Sequence, residues 1–365
     1  PFSPQVELFG RRFEDPYGSN PNPFPQSFAP FTPARDSAFF PPLGTFGSFD
    51  PGFRPSYTQS YNFTVERELA TNLITRVSYI GNMGRQLSYN KDVNYAVYAP
   101  GATLANLQLR RPHRQFTGIQ ETAAGSNSSY HGLQISVERR MARGFSVEAN
   151  YTWSKAIDEW SFDPVPGQQG SITPPFSRLL NRGLSDFDIR HRFVASYVWS
   201  LPGLRGQSAL VKGLLGGWQH TAIWTLQGGF PFNVLSGVDN ALSGINSDRA
   251  DVIGNPYLDT GRPRKDLINE YFSRAAFRTN QVGTFGTMPR TAITGPGTAS
   301  VDVAFMKNFA VKERVQFQFR GEFFNLFNRP NFSNPYNVHR VANRFGRLES
   351  AGDPRIGQLA LKLSF

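Results

Sequence analysis

Three side chains near the middle of the chain have types and spacing that suit a hard metal ion. Asp186 and Asp188 would share one side of an extended backbone, both offering carboxylate oxygen, and His191 follows closely. A second interpretation is a polar rim, in which the aspartates cap turns and the neighbouring Arg190 and Arg192 balance their charge. We favour the polar rim and predict no metal-binding residue.

No other residues form a recognisable catalytic site. The five histidines stand outside every G-x-S-x-G and H-E-x-x-H pattern, so we predict no catalytic residue and no enzyme. A barrel hydrolase that depends on one histidine is the least favoured hypothesis. The glycine-rich segments 81–84 and 213–217 do not open a helix after a buried strand, so we predict turns and no cofactor. The absence of cysteine removes disulfides and thiolate metal sites.

The charge of the chain is strongly basic, with a formal net charge of +11 and an isoelectric point near 10.0. A basic stripe along one face would indicate nucleic acid. Here the basic residues are dispersed along the chain. They form only short clusters, such as Arg110 with Arg111 and Arg139 with Arg140. We therefore predict solvated loops that face anionic lipid headgroups or a ligand, and no nucleic-acid partner.

The elements that carry these side chains are predicted to be strands, and the clearest one ends the chain. Its apolar residues are Leu359, Leu361, Leu363 and Phe365, and the intervening residues are Gln358, Ala360, Lys362 and Ser364. Alternation with a period of two predicts a strand with one apolar face. A terminal strand that ends on an aromatic residue suggests an outer-membrane barrel, in which that face contacts lipid.

The same alternation recurs in eight earlier segments, which group into four hairpins. The segments are 61–66 and 73–81, 133–138 and 145–153, 193–199 and 218–226, and 301–309 and 315–323. Strands of roughly 9–12 residues thus alternate between short turns and long loops, which is the asymmetry of outer-membrane barrels. The predicted fold is all-β, an antiparallel transmembrane β-barrel, here a partial barrel of about nine strands with long extracellular loops.

Other stretches lack this alternation. Residues 1–56 are rich in Pro, Phe and Gly and are predicted to be a loop region, which leaves the C-terminal portion of the barrel to residues 57–365. Residues 88–129 are predicted to be irregular, and residues 228–298 resemble no compact domain. A helical membrane span is excluded because the chain has no run of about 18 apolar residues.

The predicted strands assign positions to two further groups of side chains. Tyr151, Trp153, Tyr197, Trp199 and Trp218 are predicted to form aromatic girdles at the two membrane interfaces. The predicted lumen-facing charges are Glu66, Arg76, Glu138, Glu148, Arg320, Glu322 and Lys362. Such mixed charges suit either contact with a plug or ligand, or a solvated interior. Three cations, Arg67, Arg139 and Lys307, fall on the apolar face near predicted periplasmic ends, where they can snorkel.

Several segments, taken together, resemble a known family. They are residues 130–140, 151–158, 183–193 and 323–332 with the terminal Leu-Ser-Phe. They resemble the C-terminal barrel of TonB-dependent outer-membrane transporters, especially the Oar-like branch. The resemblance implies a location in the outer membrane of a Gram-negative-type bacterium, contact with its lipid, and uptake or binding of a ligand. It also implies that the terminal strand is a signal for the barrel assembly machinery.

The chain departs from that family by omission. No signal peptide, TonB box or plug is recognisable, and nine strands are fewer than the family's barrel of about 22. The chain would then be a C-terminal part, and would reach the inner-membrane energy-coupling complex only through missing N-terminal parts. Residues 356–365 are predicted to be an unpaired sheet edge. The alternative function is a cell-surface β-sheet module that binds carbohydrate or other polymers through aromatic loops.

Overall fold

The computed structural model describes residues 44–161, 173–203, 206, 208, 211, 213, 215–245, 248–259, 261–312 and 315–364. The strands in these residues are β1 (Gly44–Phe49), β2 (Tyr57–Ala70), β3 (Leu73–Asp92), β4 (Phe116–Ala142), β5 (Phe145–Asp158), β6 (Gly183–Leu184), β7 (His191–Ser200), β8 (Trp218–Gln227), β9 (Pro231–Phe232), β10 (Asp251–Val252), β11 (Phe277–Arg278), β12 (Ile293–Thr294), β13 (Thr298–Lys312), β14 (Val315–Phe324) and β15 (Ile356–Ser364).

Helical structure within the described residues is short. The α-helix α1 (Arg264–Asn269) and three single turns of 3-10 helix, Gln108–Arg110, Leu179–Asn181 and Arg274–Ala276, lie between the strands. Residues 211, 213 and 215 are also helical. In this part of the chain, no helix has the length and apolar character needed to cross a membrane.

Nine strands form one continuous antiparallel path in the order β15, β14, β13, β8, β7, β5, β4, β3 and β2. Two shorter strands join it at the side, β1 parallel to β4 and β6 antiparallel to β5. The prediction of an all-β antiparallel sheet with about nine long strands is therefore confirmed. The sheet is open, because β15 pairs only with β14 and β2 only with β3 among the described strands. This confirms the unpaired edge at β15; Phe365 lies outside the described residues.

Two of the predicted hairpin turns are built as their sequences require. Asn72, in the turn between β2 and β3, has a φ of 66°, a left-handed conformation that asparagine tolerates. In the turn between β4 and β5, Arg143 and Gly144 both have positive φ, at 53° and 80°. Two consecutive positive φ values are typical of the tight turns whose twist matches that of the flanking strands.

Several stretches predicted to lack strands contain them, including residues 228–298, where β9 to β12 lie. β3 has 20 residues and β4 has 27, so residues 88–92 and 116–129 are strand where the sequence predicted irregular structure. Alternation fails in these extensions because small and polar residues are buried there as well as apolar ones. β1 likewise falls in the predicted loop region 1–56, and its Phe46 is buried against Phe116 with ring centroids 4.8 Å apart.

The strand register places the alternating apolar residues on one face of the sheet, because directly paired residues in an antiparallel sheet share a face. One row of such pairs runs through Val65, Val77, Ile135, Tyr151, Phe193 and Leu226. On the last strands, Phe319 pairs with Leu361 and Phe317 with Leu363. Many of these side chains are exposed, including Phe63 at 68% and Leu361 at 73%. We call this surface the apolar face.

The long connections lie at the end of the sheet opposite the hairpin turns and pack together. We call the described residues of 93–115, 159–190, 228–297 and 325–355 the loop layer. Backbone hydrogen bonds join its segments, as between Ala96 and Ser243, Leu235 and Asn337, and Tyr271 and Gly346. Its buried core consists of Phe232, Val234, Ala250, Phe272, Ala276, Phe277, Met288, Ile293 and Phe345. Residues 228–298, which resemble no compact domain in sequence, thus supply most of this core together with Phe345 from the last connection.

Candidate functional site in the loop layer

The candidate metal ligands do not come together. The Oδ1 atom of Asp188 accepts a hydrogen bond from the backbone N–H of Ala156 at 2.5 Å. Asp186 pairs with Arg290, and His191 Nδ1 lies 2.8 Å from the hydroxyl of Tyr151 on the apolar face. Nowhere in the described residues do three His, Cys, Asp or Glu side chains form a possible ligand cluster. The preferred polar-rim interpretation fits this geometry, although the balancing cation is Arg290 rather than Arg190 or Arg192.

Arg290 joins two segments of the loop layer to the end of β5. Its guanidinium donates to Asp158 Oδ1 at 2.5 Å, to Ser161 Oγ at 2.6 Å and to Asp186 Oδ1 at 3.1 Å. Arg290 and Asp158 are both buried, at 8% and 3% side-chain exposure. Burial raises the pKa of Asp186, and the charge of Arg290 opposes that shift. The network fixes the loop after β5 against the segment that precedes β12.

Arg249 is a second buried guanidinium. Unlike Arg290, which binds carboxylates, it donates to carbonyl and amide oxygens. It donates to the backbone carbonyls of Met288 at 3.1 Å and Thr173, and to the side-chain oxygen of Asn181 at 3.1 Å. No carboxylate accepts from it among the described residues. Burial, with a smaller contribution from Arg290, lowers its pKa to about 10. Arg249 therefore stays protonated at neutral pH as a buried cation without a direct counter-ion.

A cavity of about 770 Å³ opens beside Arg249, between three segments of the loop layer. Its lining residues are Tyr95, Ala96, Val97, Tyr98, Pro174, Phe176, Leu179, Leu180, Arg182, Ala241, Arg249 and residues 283–289. Several lining side chains are well exposed, with Phe176 at 64% and Tyr98 at 46%. We call this cavity the loop pocket. Its volume lies within the range of about 300–1,000 Å³ that is usual for small-molecule sites.

Two glycines allow the backbone to pass close to other parts of the loop pocket. Gly283 has a φ of +83°, and a Cβ there would lie 2.8 Å from the ring of Tyr98. Gly286 has a φ of +81°, and a Cβ there would overlap the carbonyl oxygen of Arg249. Any other residue would add both conformational strain and a steric clash at these positions. The segment 283–289 can therefore form one wall of the pocket.

The lining of the loop pocket combines rings and positive charge. Phe176 and Phe285 are in edge-to-face contact with ring centroids 5.8 Å apart. Arg182 lies on the lining and is exposed. No Asp or Glu is among the described residues that line the cavity. Such an arrangement can hold a small ligand by stacking and by hydrogen bonds to guanidinium groups.

The predicted terminal-strand residues lie on the exposed apolar face. Leu359, Leu361 and Leu363 are 72%, 73% and 48% exposed. The predicted girdle residues share this face. Trp199 and Trp218 lie at the hairpin end of β7 and β8, whereas Tyr151 and Trp153 lie nearer the loop layer. Lipid contact and girdle roles stay predictions.

Lys307 shows how a cation is accommodated on the apolar face near the hairpin turns. Its Nζ donates to the carbonyl of Gly216 and lies 5.5 Å from the ring centroid of Trp218 and 5.2 Å from that of Phe309. Arg139 likewise lies over the ring of Phe145, at 5.4 Å. Hydrogen bonding and cation–π contact at the end of the sheet compensate the two charges.

The predicted lumen charges all lie on the face opposite the apolar one, in two groups. In the first group, Glu66 and Arg76 form an ion pair at 2.5 Å, and Glu138 stands directly opposite Glu148. In the second group, Arg320 pairs with Glu322, which also accepts from Gln358. Lys362 stands opposite Gln318. Strands β7, β8 and β13 separate the groups, and the lumen assignment stays a prediction.

Sequence reasoning missed Arg249, Arg290 and the aromatic wall of the loop pocket. The loop pocket depends on contacts between segments that are far apart in the chain, which no local pattern reveals. One available signal was the number of phenylalanines in residues 228–298, because a solvated loop has no need for them. Phe232, Phe272 and Phe277 are buried together with Phe345 from the last connection.

Comparison with known proteins agrees with this architecture. A family model described as an outer membrane beta barrel domain matches residues 1–358. The chain belongs to this family. As an outer membrane beta barrel domain it is located in the outer membrane, and the barrel is favoured over the separate cell-surface module. No curated protein sequence matches the chain significantly.

Several solved structures are similar to this outer membrane beta barrel domain. The outer membrane transporter YddB from Escherichia coli has 9% identity and a TM-score of 0.45, with 86% of this chain and 33% of that chain covered. The ferric-catecholate import receptor Fiu from E. coli K12 has 14% identity and a TM-score of 0.40, with 86% and 28% covered. The FrpB iron transporter from Neisseria meningitidis has 12% identity and a TM-score of 0.39, with 86% and 33% covered. The chain spans about a third of the length of these structures.

Proposed function

We propose that this chain is the C-terminal barrel segment of a TonB-dependent, Oar-like transporter or receptor that binds and takes up a ligand. The observation that carries the proposal is the combination of an exposed apolar face across nine strands with a folded loop layer at one end. A sheet that exposes so much apolar surface needs a lipid or protein partner. A pocket in the loops at one rim suits the capture of a solute before it crosses the membrane.

The two faces of the sheet take different roles in this proposal. The apolar face, with Leu359, Leu361 and Leu363, contacts outer-membrane lipid, and the aromatic girdles lie at its two interfaces. The opposite face, with the two charged groups, lines the lumen. The free edges of β2 and β15 pair with further barrel strands, and the barrel assembly machinery recognises the terminal strand.

The loop layer supplies binding rather than catalysis. Several of its charged side chains are engaged in structural contacts, as Arg290 is with Asp158 and Asp186. The loop pocket offers rings and guanidinium groups, but its described lining has neither a nucleophile paired with a base nor a carboxylate. We therefore infer a binding and transport protein that is not an enzyme. Energy for release would come from the inner-membrane complex through other parts of the transporter.

Uptake by cells carrying the native gene tests this function. Native cells are compared with cells carrying Phe176→Ala combined with Tyr98→Ala, and solutes lost from the growth medium are measured by mass spectrometry. We expect at least one solute to be depleted by native cells, and its depletion to be lost in the variant and on collapse of the proton gradient. Identical depletion in native, variant and uncoupled cells would contradict energised uptake through the loop pocket.

A further inference from the structure

The loop pocket has an electrostatic character that its aromatic lining alone would not give. Arg249, 8% exposed, contributes a buried positive charge whose described partners are carbonyl and amide oxygens. Carbonyl dipoles stabilise a guanidinium but leave its net charge in place. Arg290, the other guanidinium that acts on it, is itself paired with Asp158 and Asp186, so the charge that lacks a direct carboxylate partner is that of Arg249.

Arg182 provides a second cation, and this one is accessible. Its side chain lines the loop pocket and is exposed, and within the described part of the chain no hydrogen bond or ion pair uses its guanidinium. A planar fork of donors in this position can bind a carboxylate with two parallel hydrogen bonds. Because no described lining residue is acidic, nothing in the described lining competes with an incoming anion.

The aromatic side chains define the other half of the site. Tyr98 is held against the backbone of Gly283, and Phe176 contacts Phe285 edge to face. Rings that are partly exposed and already in contact with a partner can stack on a flat ligand at a small cost in side-chain entropy.

We propose that the loop pocket binds an organic anion that contains an aromatic ring, with its anionic group at Arg182 and its ring against Tyr98 and Phe176. This proposal rests on the proposed function and specifies the class of ligand. A neutral sugar would bring no negative group to pair with the guanidinium groups of the pocket. A simple inorganic anion would bring no ring to stack on its aromatic side chains. The cavity of about 770 Å³ has room for a ligand larger than a single ring.

Binding of a matched series of probes to the full chain in outer-membrane vesicles tests the proposal. The probes are 2-naphthoate, the neutral 2-naphthylmethanol and the non-aromatic cyclohexanecarboxylate, with retention by vesicles lacking the chain subtracted. We expect 2-naphthoate to bind about ten- to a hundredfold more tightly than 2-naphthylmethanol, which is the usual effect of one charge-assisted hydrogen-bonded pair. Equal affinity for the acid and the alcohol, or for the two acids, would overturn the proposal.

Variants locate the site and separate this proposal from the barrel function. Arg182→Gln should weaken naphthoate binding about ten- to a hundredfold, and Phe176→Ala about two- to tenfold. Arg264→Gln, at the exposed start of α1, is the matched control and should bind as the native chain does. Outer-membrane assembly is scored in the same vesicles by fractionation. Assembled chain that retains no naphthoate, or an Arg182→Gln chain that binds normally, overturns the proposed ligand and leaves the barrel function standing.

Discussion

Arg290 and Asp158 form a buried ion pair at 2.5 Å although 132 residues separate them in the chain. Asp158 is the last residue of β5, so the pair connects the rim of the sheet to the loop layer. The same guanidinium also holds Asp186 and Ser161. One side chain therefore holds the loop after β5 against the segment that follows the pocket wall 283–289.

Loss of the Arg290 guanidinium should loosen the loop layer and leave the sheet assembled. Arg290→Met leaves Asp158 buried without its partner, which costs about 3–5 kcal/mol for a pair of this kind. The urea concentration at which proteases cleave the loop layer in outer-membrane vesicles measures the effect. The control is Arg344→Met, which removes an exposed ion pair with Glu349 and should change that concentration little. Similar small shifts in both variants would show that the buried pair does not hold the loops.

The stability of the loop layer should depend on the protonation of Asp248. Burial raises the pKa of this carboxyl from its ordinary value of 3.8 to about 6, and the charge of Asp239 adds to the shift. The folded layer therefore binds the proton more tightly than the unfolded chain does. Its free energy of unfolding should fall as pH rises from about 4 to about 6, and this contribution should be level above that. Burial also raises the pKa of Asp92 and Asp186, so these carboxyls contribute to the same pH dependence. The test therefore compares how steeply stability falls with pH in the native chain and in a variant of Asp248.

Asp248→Asn isolates the contribution of this residue. The amide keeps an acceptor for the backbone N–H of Ala241, which bonds to Asp248 Oδ2 at 2.7 Å in the native chain. Protease resistance of the loop layer in urea is measured between pH 4 and pH 7 for both chains. We expect a weaker loss of resistance with rising pH in the variant, and an identical slope would refute the assignment.

The sheet was predictable because a single apolar face imposes a simple rule on the sequence. Every second residue of a segment such as 315–323 has to be apolar, so the strand period and the face of Phe317 and Phe319 can be read locally. The alternation fails at the ends of β3 and β4 next to the loop layer. Ala123 and Thr122 are both buried there, although neighbouring residues of a strand point to opposite faces. Other parts of the protein cover both faces of the strand there, so polar and apolar side chains can be buried on either face and no alternation is required.

The loop pocket was not predictable for a different reason. Tyr98, Phe176 and Phe285 belong to three segments, and only the folded loop layer brings them together. Arg249 is held by the backbone carbonyls of Thr173 and Met288. Every residue has a backbone carbonyl, so the sequence does not show which ones will accept from Arg249. Sequence spacing drew attention instead to Asp186, Asp188 and His191, for which a polar rim was favoured over an ion site. Their side chains bind three different partners.

The wall of the loop pocket should depend on the missing side chain of Gly286. Gly286→Ala adds a Cβ that overlaps the carbonyl oxygen of Arg249, and this residue cannot move without breaking its contacts to Met288 and Asn181. Gly101→Ala is the control, because Gly101 has the same φ of +81° with no atom within 4 Å of the added Cβ. Both variants bear a backbone strain of about 1–2 kcal/mol. Only Gly286→Ala should lower protease resistance of the loop layer further, and equal loss would exclude the clash.

The two faces of β15 should respond oppositely to a positive charge. Leu361 is 73% exposed on the apolar face, where arginine at the membrane midplane costs about 2–4 kcal/mol. Gln358 lies on the opposite face and donates to Glu322, so arginine there can replace the hydrogen bond with an ion pair. We expect Leu361→Arg to reduce the amount of chain in the outer-membrane fraction severalfold, and Gln358→Arg to leave it near the native amount. Because both substitutions add the same side chain to the same strand, equal reductions would mean that the apolar face does not contact lipid.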